Sequence, residues 1–265
     1  MTLLDQAPGL LEALRGEMTP KFLATRSAGG VPNVVPVVSI LPAEDQPDTL
    51  FFGNFLLRKS IRNLQEDPRV GILVMTQQLN GWLLKGDFLE FQRTGPYVDK
   101  QMNSALLRYN PYTGIRNAGL IRVSAVTGSF RISKLQVALD YLLARLGARG
   151  KAATDEGSVA MPLSARREFT KMVAVKVLAW LGEDGYPVVV PMLSLQPAGE
   201  QTLVGRVNPN LPTPPTGVPV ATNILTFEAI SYQAKGHWTS QGRTGRLSIQ
   251  EVYAGGPPIP GGRVA

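Results

Sequence analysis

A stretch of this chain is written twice. Gly30–Ile40 reads GVPNVVPVVSI and Gly185–Leu195 reads GYPVVVPMLSL. Aligned with Gly30 on Gly185, they agree at Pro32/Pro187, Val34/Val189, Val35/Val190, Pro36/Pro191 and Ser39/Ser194 as well. A second echo follows in the same order, Lys85-Gly86-Asp87-Phe88 against Lys235-Gly236-His237-Trp238. Chance produces one such echo more readily than two in sequence, and internal repetition constrains a fold more than any local propensity does. Whatever the chain builds, it builds it twice.

Both copies open alike. Phe22–Thr25 and Val173–Leu178 are short apolar runs. Each leads through a glycine-containing turn into a valine-rich run, the pattern of a hairpin. Pro36 and Pro191 lie inside the second runs. Proline cannot donate to a ladder, so each marks an edge, a bulge or a place where pairing stops. Further strands are expected at Thr49–Gly53, Arg69–Thr76, Gly81–Arg93 and Gly119–Arg131, then at Thr202–Val207, Val218–Ala229 and Tyr232–Tyr253.

Helices are few. Leu57–Glu66 is one, stopped by Asp67-Pro68 because a residue before proline avoids the helical region. Tyr97–Leu107 and Ser164–Thr170 are two more. Ser133–Leu146 carries Leu135, Val137, Leu139, Leu142, Leu143 and Leu146 near helical spacing, with Ser133 as its cap. The expected fold class is mainly β, two tandem split β-barrels forming an intrachain pseudo-dimer. The first copy spans 1–146 with its C-terminal helix, a linker runs over 147–158, the second copy spans 159–254, and 255–265 is a loose tail.

Composition removes several function classes. With no cysteine, disulfides, thiolate metal sites and a cysteine nucleophile are excluded. The single histidine, His237, leaves a metal centre or a Ser-His-Asp hydrolase without partners and reads as a polar residue near a strand end. The net charge of +7 suits an anionic partner, but lysine and arginine are scattered, so no nucleic-acid face is expected. No apolar run is long enough for a membrane span. Met1–Pro20, with Asp5, Glu12 and Glu17, does not read as a secretory signal. A cytoplasmic protein is the expectation.

The most informative stretch is Phe52–Val70. A strand ends at Gly53, Asn54 supplies a polar cap, and the first helical turns carry Arg58, Lys59, Ser60, Arg62 and Asn63. A helix start presents unpaired N–H groups and a positive dipole end, which favour an anion. Acidic residues are the usual choice there, so a basic first turn points to an anion brought from outside, against the plainer reading of a solvated basic face. There is no Gly-x-x-x-x-Gly-Lys before Lys59, hence no P-loop.

Taken in order, Ala24-Thr25, Gly30, Pro32, Val35-Pro36, Gly53-Asn54, Lys59-Ser60, Asn63-Leu64, Asp67–Val70, Lys85-Gly86 and Phe91–Tyr97 resemble the pyridoxamine 5′-phosphate oxidase-like FMN-binding split-barrel family. The resemblance covers roughly 21–132 well and 169–253 weakly. It implies a six-stranded antiparallel split barrel that pairs as a dimer around flavin mononucleotide (FMN). By carry-over, Lys59 and Ser60 hold the phosphate with Arg58 or Arg62 assisting. Pro36, Val37, Val38 and Ser39 run beside the flavin ring, and Phe52, Gly53 and Asn54 lie near the ribityl chain and ring edge. For the valines the plain alternative is core packing.

The second copy departs from this pattern. Pro209, Pro212, Pro214 and Pro215 follow Gly205 where a Lys-Ser helix would stand, and proline breaks helices. One competent FMN site is therefore expected, walled in part by copy two. Trp180, Trp238 and Tyr186 are the wall candidates, each equally suited to a core. The function implied is an FMN-dependent oxidoreductase or flavin reductase with a small-molecule redox substrate, a nicotinamide among the candidates, although no Gly-x-Gly-x-x-Gly domain accompanies it. Alternatives are a non-catalytic module holding FMN, a deazaflavin or haem, and a cofactor-free duplicated scaffold. Whether two chains pair again stays open.

Overall fold

The computed structural model describes residues 2–55, 57–104, 115–148, 157–255 and 261–265. The first half contains α1 (Leu10–Arg15), β1 (Lys21–Arg26), β2 (Pro32–Pro36), β3 (Leu41–Pro42), β4 (Thr49–Gly53), α2 (Arg58–Glu66), β5 (Arg69–Met75), β6 (Asn80–Gln92), α3 (Pro96–Met102) and β7 (Ala118–Arg131). Then come α4 (Lys134–Gly147), α5 (Leu163–Phe169), β8 (Val175–Leu181), β9 (Pro187–Pro191), β10 (Gln196–Pro197), β11 (Thr202–Arg206), β12 (Pro219–Leu225), β13 (Ser231–Gln241), β14 (Thr244–Ala254) and β15 (Gly262–Arg263).

The repeated residues do the same structural work in both halves. Gly30 and Gly185 sit at φ 75° and 77°, a left-handed turn geometry that glycine reaches without steric cost, and so they fix the β1–β2 and β8–β9 hairpins. Ser39 accepts the Gly53 N–H at 3.2 Å, and Ser194 accepts the Arg206 N–H at 2.9 Å. Each serine thus ties the segment after the second strand to the end of the fourth. β2 and β9 each end on the repeated proline, and both are edge strands.

The resulting sheets are entirely antiparallel and share one topology. The first runs β2-β1-β5-β6-β7-β4-β3, and the second, read from the same side, β9-β8-β12-β13-β14-β11-β10. Strands β8 to β14 occupy, place for place, the positions of β1 to β7. The chain is two tandem split β-barrels joined as an intrachain pseudo-dimer. One apolar cluster runs through the junction, joining Phe22, Ala24, Val34 and Leu73 to Val177, Ala179 and Trp238, while a second fills the first barrel beneath α1.

At the junction each edge strand lies against the other half. Gly71 on β5 meets the backbone of β9 so closely that a Cβ there would stand 2.0 Å from the Pro187 carbonyl oxygen. The Gly71→Ala substitution therefore forces the halves apart locally. A loss of about 1–3 kcal/mol in thermal or denaturant unfolding is expected from such overpacking, and an unchanged midpoint would show that the junction yields.

Four expectations need correcting. Helix α4, assigned to the first copy, packs on the second. Asp140 pairs with Arg206 and Arg243, both at 3.1 Å, and Gln196 donates to the Tyr141 carbonyl at 2.8 Å. Its buried face is Asp140, Tyr141 and Ala144, whereas Leu135, Leu139, Leu142 and Leu146 are exposed. Ser133 makes no side-chain capping bond. The end of the chain is also held: β15 pairs with β14, and the Val252 N–H donates to the Ala265 carbonyl at 2.7 Å. Helix α3 closes at Met102, and the rest of the stretch expected to be helical to Leu107 lies largely outside the described residues, as does most of the 147–158 linker.

Candidate functional site

The free side of β2 faces copy two, and this is where the fold leaves room. The β2 carbonyls of Pro32 and Val34 are met by side chains of the other half: Lys235 donates to Pro32 at 2.6 Å, Gln233 and Asn223 to Val34 at 2.5 and 3.3 Å. Beside these contacts, between β2 and α2 of one half and β8, β12, β13 and β14 of the other, lies a cavity of about 430 Å³. That is within the range of small-molecule sites, which favour domain interfaces. Its walls are largely apolar, with Pro20, Val35, Leu57 and Val175 among them. The mouth is ringed by Met18, Val173 and Phe227, which are 74%, 66% and 79% exposed.

One end of the cavity is cationic. Arg58, Lys59 and Ser60, the first residues of α2, all line it. The helix start has no side-chain cap and no acidic residue in its first turn, so its N–H groups and dipole end are uncompensated. Lys59 is half-buried; its Nζ donates to the Tyr253 hydroxyl at 3.0 Å and stands 4.1 Å from the centre of the Tyr253 ring. Burial lowers the proton affinity of its amine below the ordinary lysine range, with the Glu251 carboxylate acting the other way. Tyr253 in turn donates to Glu251 at 2.8 Å, and burial followed by the Glu251 hydrogen bond raises its pKa to about 12.

Ser60 is 1% exposed and accepts a hydrogen bond from Asn33 at 3.1 Å, which leaves its own O–H as a donor. Asn63 donates to Thr25 at 3.1 Å. Thr25, Asn33, Ser60 and Asn63 together pin α2 to β1 and β2, so three residues of the sequence resemblance, Thr25, Ser60 and Asn63, also hold the cationic turn in place.

Of the ten residues proposed from sequence, Pro36, Val38, Arg58, Lys59 and Ser60 line the cavity. The other five do not. Val37 is buried in the first barrel's core, and Phe52 packs there edge-on to Phe91 with centroids 6.4 Å apart. Gly53 is closed in beneath Gln101 and Ile115. Ser39 serves the Gly53 N–H and, through its carbonyl, Gln101 at 2.7 Å. Asn54 caps nothing: Leu57 occupies the cap position, and the Asn54 N–H donates to Asn117 at 2.9 Å.

The wall supplied by copy two differs from the sequence expectation. Trp180 and Trp238 are core residues. Tyr186 lies elsewhere along the junction, its hydroxyl donating to Asp87 at 3.0 Å. The wall is made instead by Asn223, Phe227, Gln233 and Tyr253, brought together only by strand pairing. His237 is exposed on β13, away from the cavity lining. Among the described residues no cluster of three metal-ligating side chains occurs, and no helix is long and apolar enough to cross a membrane.

No family model and no curated protein matches the chain. Solved structures do. HupZ of Group A Streptococcus is 18% identical, covering 47% of this chain and 91% of its own, with a TM-score of 0.37. An FMN-binding protein from Syntrophomonas wolfei is 14% identical over 50% of this chain and 88% of its own, at 0.40. HutZ, the haem storage protein from Vibrio cholerae, is 17% identical over 49% and 95%, at 0.36.

Proposed function

We propose that the interfacial cavity binds FMN and that the protein is a flavoprotein oxidoreductase acting on a small molecule. The observation that carries this reading is the division of one cavity into an apolar body and a cationic end built on an uncapped helix start. A phosphorylated aromatic cofactor has that same division. The donor set fits a phosphate dianion: an ammonium from Lys59, a hydroxyl from Ser60, a guanidinium from Arg58 and free helical N–H groups. Pro36 and Val38, with Phe227 and Val175 opposite, give an apolar slot for a ring.

When bound, FMN supplies hydride and one-electron chemistry, and the protein's share is binding, orientation and electrostatics. On this reading Lys59, Ser60 and Arg58 anchor, β2 orients, and the two halves exclude water. The exposed Met18, Val173 and Phe227 mark the side from which a redox partner reaches the ring. The second copy offers no equivalent end, since its sequence between Arg206 and Pro219 is rich in proline and forms no helix.

An absorbance scan followed by fluorescence titration with FMN and riboflavin tests the reading. FMN is expected to bind and riboflavin to bind more weakly. Lys59→Met is expected to weaken FMN binding about 10- to 100-fold, the worth of one charge-assisted bond, and to leave riboflavin unchanged. A flavin-free protein indifferent to added FMN would overturn the proposal. A haem or deazaflavin spectrum would replace the cofactor while keeping the site.

A further inference from the structure

Near Lys59, but not in the lining of the cavity, lies a second lysine from the other half. Lys235 is 4% exposed, and its one described hydrogen bond to backbone is the donation to Pro32. Lys235 stands opposite Glu251 in the β13–β14 ladder, and Lys59 donates to the Tyr253 hydroxyl, which in turn donates to that same Glu251, so the two amines flank one carboxylate. Two ammonium groups so placed repel each other, whereas an ammonium beside a neutral amine does not.

The counterpart of Lys235 shows what is missing. In the other half Lys85 holds the same place, and it forms an ion pair with Asp184 in the β8–β9 turn. The matching position in the β1–β2 turn, aligned as Gly30 on Gly185, is Gly29. Lys235 therefore has no carboxylate where its counterpart has one. The groups around the lysine pair are Arg62 from α2, Glu251 and Tyr253 from β14, and Arg263 from β15. The single carboxylate, Glu251, is already engaged by Tyr253 and by Arg263 at 3.6 Å.

We infer that Lys59 and Lys235 form a two-amine site that holds one proton between them when the cavity is empty and takes up a second when a phosphate dianion docks against Lys59. Lys59 keeps the first proton because it is nearer solvent and bonded to the Tyr253 oxygen. Burial, then the neighbouring Lys59 charge, lowers Lys235 to about 7, consistent with an amine in the empty site. A dianion supplies the negative charge that Asp184 gives Lys85, and so favours the second proton. The inference rests on the proposal that FMN binds here, and it makes Lys235 a positioning residue, acting through Lys59.

The test is calorimetry of FMN binding at about pH 8 in two phosphate-free buffers of different ionisation enthalpy. The phosphate of FMN is already dianionic there, its second pKa being about 6, so uptake reports on the protein. Close to one proton taken up per FMN is expected, with affinity falling about tenfold per pH unit above about pH 7. Lys235→Met is expected to abolish both the uptake and the slope. FMN binding without proton uptake overturns the inference and leaves the flavin reading standing. Uptake that persists in Lys235→Met also overturns it, since another group would then be the acceptor. If FMN does not bind at all, the flavin reading fails and the inference falls with it.

Discussion

Replacing Asp140 by alanine lowers the stability of the folded chain by about 3 kcal/mol, the lower end of the cost of breaking a buried ion pair from one side. Asp140 is 7% exposed and sits between two guanidinium groups, Arg206 from β11 and Arg243 from the β13–β14 turn, and it also accepts from Gln136 at 2.8 Å. Without the carboxylate, two cations face each other across a half-buried contact. The lower figure is apt because Arg243 is 39% exposed and partly screened. In a thermal melt the loss corresponds to roughly 6–12 °C for a domain of this size. Asp140→Asn, which keeps the acceptor oxygen, should lose less. A shift under about 1 kcal/mol for alanine would mean that α4 is held by Tyr141 and Ala144 alone.

Replacing Lys176 by methionine has the opposite sign. Lys176 is fully buried, its Nζ has no hydrogen-bond partner among the described residues, and the Tyr141 ring lies 5.3 Å away. Its equivalent in the first half is Lys21, also fully buried, whose ammonium is bonded to the Gly16 and Val38 carbonyls at 2.8 and 3.1 Å. Burial lowers Lys176 to about 7 and Lys21 to about 8 from the ordinary value of 10.5. The unfolded chain therefore binds more protons than the folded one between about pH 7 and 10.5. Stability rises with pH across that window, and the deficit is complete below it and gone above it. At about 1.4 kcal/mol per tenfold change in proton affinity, the Lys176 deficit at neutral pH is on the order of 4 kcal/mol. Lys176→Met, similar in volume and without the charge, should raise the melting temperature by roughly 8–16 °C near pH 7. It should also remove most of the alkaline gain, leaving the share due to Lys21 and Lys235. A variant that melts lower at pH 7 would show that the amine has a partner it needs.

Both substitutions concern features that sequence reading handles poorly. The duplication was visible because hairpin glycines and edge prolines answer local backbone demands, and the same demands recur in each half. Lys59 and Ser60 were visible for a similar reason: a basic first turn departs from what a helix start favours. The leucines of α4 recur near helical spacing, but periodicity reports that a helix has an apolar side, not that anything covers it. Here the docked side carries Asp140 and Tyr141, fixed by arginines some sixty and a hundred residues onward. Phe52, Gly53 and Ser39 enter only through the resemblance, and none lines the cavity: Phe52 packs in the first barrel's core, Gly53 is closed in beneath Gln101, and the Ser39 hydroxyl accepts the Gly53 N–H. Tyr253 and Asn223 were missed, since only the pairing of β12, β13 and β14 brings them to β2. Lys235 leaves a trace in the Lys-Gly echo, which points to repetition but not to its place near Lys59.

The shared strand order has a consequence for how such a chain can change. In a two-fold assembly of identical subunits, every substitution appears at both related places at once, so a residue that improves one cleft must be tolerated in its mirror. Covalent fusion lifts that restriction. The edge of one half can shut tightly against Gly71 while the other keeps its opening, and a proline-rich loop can stand in one half where α2 stands in the other. A single opening with unlike walls is an arrangement that a symmetric pair of such barrels has no means of specifying.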